Sequence, residues 1–123
     1  MSHEKLIREK ATSFVADVWN KRAYALIPEL LANPVLLHIK AHDISSTHAQ
    51  LRHVVDSWHE RFHGFHFDTD ALLVDGDMAA LLLTLRGLPV DADEPEPLAV
   101  RHVFILRFER SVIVEAWELN DFA

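Results

Sequence analysis

Apolar residues at Leu6, Ile7, Ala11, Phe14, Val15, Val18 and Trp19 follow the spacing of one helical face. Ser2 supplies a cap oxygen and Glu4 a favourable first-turn charge, so a helix is predicted over this opening segment. A second, shorter helix is predicted over Ala23–Leu31, with Pro28 marking a kink or a separate turn. Asn33-Pro34 ends it and releases a short strand, Val35–Lys40, after which comes a polar loop. Thr47-His48-Ala49-Gln50 then has the form of a capping box. The helix it opens carries Leu51, Val54, Val55, Trp58 and Phe62 on one face, and Gly64 suits its exit. From Phe65 the period becomes strand-like. Phe65–Val74 and Met78–Arg86 form a hairpin about Asp75-Gly76-Asp77, and Leu98–Glu109 and Val112–Leu119 form another about Arg110-Ser111. Between the hairpins, Gly87–Pro97 is an acidic, proline-rich loop.

Helices followed by an antiparallel meander is the α+β pattern, and residues 1–123 show no repeat or linker that would divide one domain. The strands over 79–85, 102–108 and 112–119 carry large apolar residues at both parities, whereas a half-solvated sheet alternates apolar with polar. Both faces are therefore expected to be covered, one by the helices and the other by a second copy in a homodimer. The alternative is a sheet that curls tightly over its own core. A net charge of −7 with scattered Lys and Arg argues against a nucleic-acid partner. No apolar run approaches the roughly 20 residues that span a bilayer, so no membrane partner is expected. The absence of cysteine removes disulfides, a thiol nucleophile and thiolate metal sites. With no apolar segment or cleavage signature at its start, the chain is expected in the cytoplasm.

The run Trp58-His59-Glu60-Arg61-Phe62-His63-Gly64-Phe65-His66-Phe67 has the form of a helix end entering a long strand. Leu73-Val74-Asp75-Gly76-Asp77, Leu83-Thr84-Leu85-Arg86-Gly87, Phe104-Ile105-Leu106-Arg107-Phe108, Ile113-Val114-Glu115-Ala116-Trp117 and Asp121 continue the series. As an ordered set from Ala49 onward they resemble the SnoaL-like, nuclear-transport-factor-2-like superfamily; the N-terminal half agrees in helix layout. The resemblance implies N-terminal helices packed in the concave face of a curved antiparallel sheet, a cystatin-like cone or α+β barrel. It further implies a deep pocket between helices and sheet for a small, apolar molecule, worked without a cofactor. The superfamily includes polyketide cyclases, steroid isomerases, epoxide hydrolases and non-catalytic binders, so the fold alone selects no chemistry.

In the cyclases a strand histidine and a last-strand acid form the acid–base pair. The resemblance puts Phe104 at the histidine position and Glu118 at the acid position, so half the pair is replaced. Glu118 serves as a base if it points into an apolar pocket; otherwise it is an exposed acid near the C-terminus. His102 lies two residues before Phe104, on the same strand face, either as the second acid–base group or as a structural histidine. The hydrolase pattern fails because Thr84 and Leu88 flank Arg86 where an acid is needed, and the isomerase pattern fails at Tyr24 and at His38-Ile39. Arg86 has two readings: holding a ligand carboxylate or oxyanion at the pocket mouth, or pairing with an acid at the rim. His38 is a candidate for the pocket lining, Asp121 for its edge, and Trp19, Trp58, Phe62 and Phe104 for its wall or for core.

His59-Glu60-Arg61-Phe62-His63 matches the H-E-x-x-H zinc-protease pattern, with the helix expected to put both imidazoles on one face. At this composition such a match arises by chance on the order of once in twenty chains. It also sits in the last helical turn with no third ligand downstream, so no metal is assigned. The leading expectation is cofactor-free proton transfer on an apolar carbonyl compound, with Glu118 as base and Arg86 or His102 assisting. A non-catalytic binding or dimerisation module is the alternative, and a zinc hydrolase the third.

Overall fold

The computed structural model describes residues 2–122. Helix α1 (His3–Ser13) starts where the Ser2 hydroxyl accepts from Lys5 N, and buries Ile7 and Ala11. Over Phe14–Trp19 the turns widen, with Asn20 N donating to Val15 O five residues back at 3.0 Å. This wider register turns Phe14, Val15, Val18 and Trp19 all into the core. The second helix is shorter than predicted: a 3₁₀ turn (Tyr24–Leu26) runs into the single turn of α2 (Ile27–Leu30), with Pro28 in its opening turn, where no partner is lost. Strand β1 (Leu31–Ile39) begins earlier than predicted and contains Asn33-Pro34, at an irregularity between Leu31 and Leu36 where no ladder bond is lost. The polar loop after it contains a strand, β2 (His42–Ser46).

Helix α3 (His48–Arg61) opens on the full capping box between Thr47 and Gln50. It ends at Arg61, so Phe62 and Gly64 already belong to β3 (Phe62–Asp75); Gly64, at φ +65, sits in a bulge there rather than at the helix exit. Strands β4 (Met78–Pro89), β5 (Leu98–Glu109) and β6 (Val112–Asn120) complete one sheet in the order β2-β1-β6-β5-β4-β3. The hairpins pair antiparallel as predicted, but β1 runs parallel to β6, which makes the curved sheet mixed. The chain thus forms the α+β cone, with the helices in its concave face.

Register sorts the side chains. Leu81, Phe104, Glu118 and Ile39 form one row across β4, β5, β6 and β1. Its core members Leu81 and Phe104 pack with Phe14, Val15, Trp19 and Val55 from the helices. On the opposite, convex face Leu82, Val103 and Leu119 align, as do Ala80, Ile105, Trp117 and His38. Leu82 and Leu119 are 42% and 56% exposed, so curling of the sheet does not by itself cover this face.

Candidate functional site in the open end of the cone

Six aromatic rings, His102 among them, meet in the concave interior. Phe104 packs against Phe14, Trp19, Phe67 and His102 at centroid distances of 5.5, 5.5, 5.8 and 4.9 Å. Trp19 also contacts Phe65 and Phe67. The space where the resemblance implies a deep pocket is therefore largely filled by side chains, and Trp19, Phe62 and Phe104 are core.

Beside these rings a cleft of about 270 Å³ remains, lined by Ile39, Lys40, Val54, Trp58, Arg61, Glu118, Asn120 and Phe122. Glu118 reaches it from the interior row and is 9% exposed. Behind Glu118 stands His102, 1% exposed, with Nε2 2.9 Å from Glu118 Oε1. That contact is close but off the axis a ring N–H needs, and neither imidazole nitrogen has an aligned hydrogen-bond partner. Among the described residues, the other buried side-chain nitrogen without one is Trp19 Nε1. Unsatisfied buried polar atoms are costly and uncommon, and those of His102 lie against a carboxylate beside a cleft. On the cleft wall Arg61 lies 4.5 Å over the Trp58 ring, and Lys40 caps the end of β1 at φ +56.

The sequence candidates divide accordingly. Glu118, His102 and Trp58 come together. His102 is wholly enclosed, so it meets Glu118 rather than a ligand. Arg86 is not at this mouth: the alternation of β4 puts it on the convex side, where its Nε donates to Asp68 at 2.6 Å. His38 is likewise on the convex side, stacked 5.0 Å from Trp117 between Asp43 and Glu115, because it alternates with the inward Leu37 and Ile39. Asp121 is exposed past the end of β6 and stands outside the cleft lining. Lys40, Arg61 and Phe122 line the cleft without having been singled out.

The H-E-x-x-H match is divided by a change of structure. His59 is on α3 and donates from Nε2 to Trp19 O at 2.6 Å, whereas His63 lies in β3 and is exposed. Among the described residues no group of three or more His, Asp or Glu side chains is placed to hold a metal ion. No described helix is long and apolar enough to cross a membrane.

Comparison with known proteins agrees with this architecture. A presumed SnoaL-like polyketide cyclase from Jannaschia sp. superposes with a TM-score of 0.83 at 14% identity, over 98% of this chain and 90% of that one. A presumed polyketide cyclase from Bacillus cereus gives 0.82 at 21% identity, over 98% and 79%. A protein of ketosteroid isomerase-like fold from Catenulispora acidiphila, solved with trimethylamine, gives 0.75 at 17%, over 90% and 84%. At these identities the likeness is one of fold. No curated protein sequence matches the chain. The family model for the SnoaL-like polyketide cyclase matches residues 9–123. The chain belongs to the SnoaL-like polyketide cyclase family.

Proposed function

We propose that this chain binds a small, largely apolar carbonyl compound in the open end of the cone and moves a proton on it without a cofactor, with Glu118 as the base. The observation that supports this is the position of Glu118, at the cleft surface with its far side against the enclosed His102. Glu118 would take a proton from the carbon next to the carbonyl, and the C–H electron pair would move to the carbonyl oxygen as an enolate. Arg61 and Lys40, on the same cleft wall, supply the positive charge that such an oxygen needs. His102 acts as a positioning residue behind the carboxylate.

Deuterium uptake at the central carbon of methyl acetoacetate, followed by proton NMR above the buffer rate, tests the proposal. Glu118→Gln should remove the acceleration and leave the unfolding midpoint near that of the parent. An undiminished rate in the variant overturns the assignment. A second reading, a non-catalytic binding or dimerisation module, draws on the aromatic filling of the cone around Phe104. In both readings the exposed convex rows, with Leu82, Leu119, Ile105 and Trp117, are the surface through which we propose a homodimer forms. The acidic net charge supports neither a nucleic-acid nor an anionic membrane-surface partner, and a cytoplasmic setting accords with a chain that has no cysteine.

A further inference from the structure

The cleft at Glu118 does not end at its own walls. Ile39 and Val54 also line a second hollow of about 460 Å³, whose other walls are Leu37, Ile44, Ser46, Ala49, Gln50 and His53. The two hollows share this pair of side chains, one from β1 and one from α3. The second lies between α3 and the β1–β2 hairpin, and Leu37, Ile39, Ile44, Ala49 and Val54 give it an apolar lining. Together the hollows follow α3 from Ala49 to Arg61, about 18 Å at 1.5 Å per residue.

Size and polarity then say what fits. Pockets for small ligands measure about 300–1,000 Å³. At about 270 Å³ the Glu118 cleft alone falls short of that, and the packed rings at Phe104 and Trp19 leave no room for a ligand to extend inward. The route open to a larger body is sideways, over Ile39 and Val54. The charged groups Glu118, Lys40 and Arg61 are gathered at one end, and the other end is mainly aliphatic, with Ser46, Gln50 and His53 among its walls.

From this we infer that the substrate is an elongated amphiphile, an enolisable carbonyl head at Glu118 carrying an apolar tail that lies in the groove between α3 and the β1–β2 hairpin. The inference rests on the proposed role of Glu118, and adds a tail site that this role does not require. In it Ile39 and Val54 form the saddle between head and tail, and Ile44 and Ala49 sense tail length.

Calorimetric titration with acetoacetate esters of increasing straight-chain alcohol, from methyl to octyl, tests it. Each added methylene should tighten binding roughly two- to fourfold until the groove is filled, as expected for a partly to fully buried methylene. Ala49→Trp, on the exposed first turn of α3, should flatten that gradient while circular dichroism stays unchanged. Glu118→Gln should lose proton exchange yet keep the gradient. Affinity independent of chain length, with exchange still dependent on Glu118, overturns the tail site and leaves the proposed function standing. Failure of every ester to bind overturns both. A changed oligomeric mass in Ala49→Trp would assign the groove to a second copy of the chain and overturn the tail site.

Discussion

His38 is held between Asp43 and Glu115 at 2.6 Å each and stacked on Trp117, while Glu115 also accepts from Arg107, itself paired with Glu109. The hydrogen bond to Glu115, then that to Asp43, raises the His38 pKa above its ordinary 6.5; the bonds from Arg107 and His38 lower that of Glu115 below 4.5. A raised histidine contributes stability that is complete below pH 6.5 and fades as pH rises through the folded value. A lowered glutamate contributes stability that is complete above pH 4.5 and fades as pH falls through its folded value. The cluster therefore supports the fold fully between pH 4.5 and 6.5, and urea unfolding carried from that range to higher pH should show stability declining above it. Glu115→Gln should flatten that decline and move the NMR-measured pKa of His38 back towards its ordinary value; an unmoved pKa would contradict the cluster. Phe104 invites a different prediction. Truncation to Ala leaves a cavity among Phe14, Trp19 and Phe67, so denaturant unfolding should register a loss of about 3–5 kcal/mol. For His102, replacement by Phe should displace the pH profile of any Glu118-dependent exchange; a merely structural role would lower stability and leave the profile in place.

Between β5 and β6 the chain turns on Arg110 and Ser111, both at positive φ (50 and 67). That conformation suits Asn-Gly, so Arg110→Asn with Ser111→Gly should raise stability by about 1 kcal/mol in thermal or urea unfolding. The Lys10 bond to the Ser111 carbonyl would survive, because it is made to backbone. This hairpin was legible in the sequence from its length and flanking strands, as were the capping box at Thr47 and the inward face of α3. Less legible were elements set by distant partners. β2 is polar and exposed and exists because β1 offers it an edge, with Ile44 opposite Leu37. The parallel direction of β1 against β6 has no local signature. The wide turns at Phe14–Trp19 are fixed from outside, where Asn20 bonds both the N–H and the carbonyl of Phe67 and His59 donates to the Trp19 carbonyl. Of the candidate site, Glu118 was singled out by the resemblance and His102 by its shared strand face with Phe104. Arg86 and His38 were misplaced because parity gives sides only relative to neighbours; Arg86 follows the buried Leu85, and His38 lies between the half-buried Leu37 and Ile39.

Across the molecule the sheet separates two surfaces with different work. The concave side holds the aromatic core and the cleft, and the convex side offers aligned apolar rows to a proposed partner. If that partner is a second copy, sedimentation equilibrium should return twice the chain mass, and Leu119→Asp, which replaces the most exposed leucine of its row, should return a single chain with unchanged circular dichroism. A parent that sediments as one chain would remove the homodimer. The order β2-β1-β6-β5-β4-β3 also bears on how the molecule is made. β1 and β2 leave the ribosome early, yet within the sheet they are joined to the remaining strands solely through β6, which follows β1 by more than seventy residues. Until Val112–Asn120 has been synthesised, the early hairpin must wait with one edge bare. Assembly of the sheet is thus tied to synthesis of β6, and a nascent chain stalled before Val112 should remain a protease-sensitive client of chaperones.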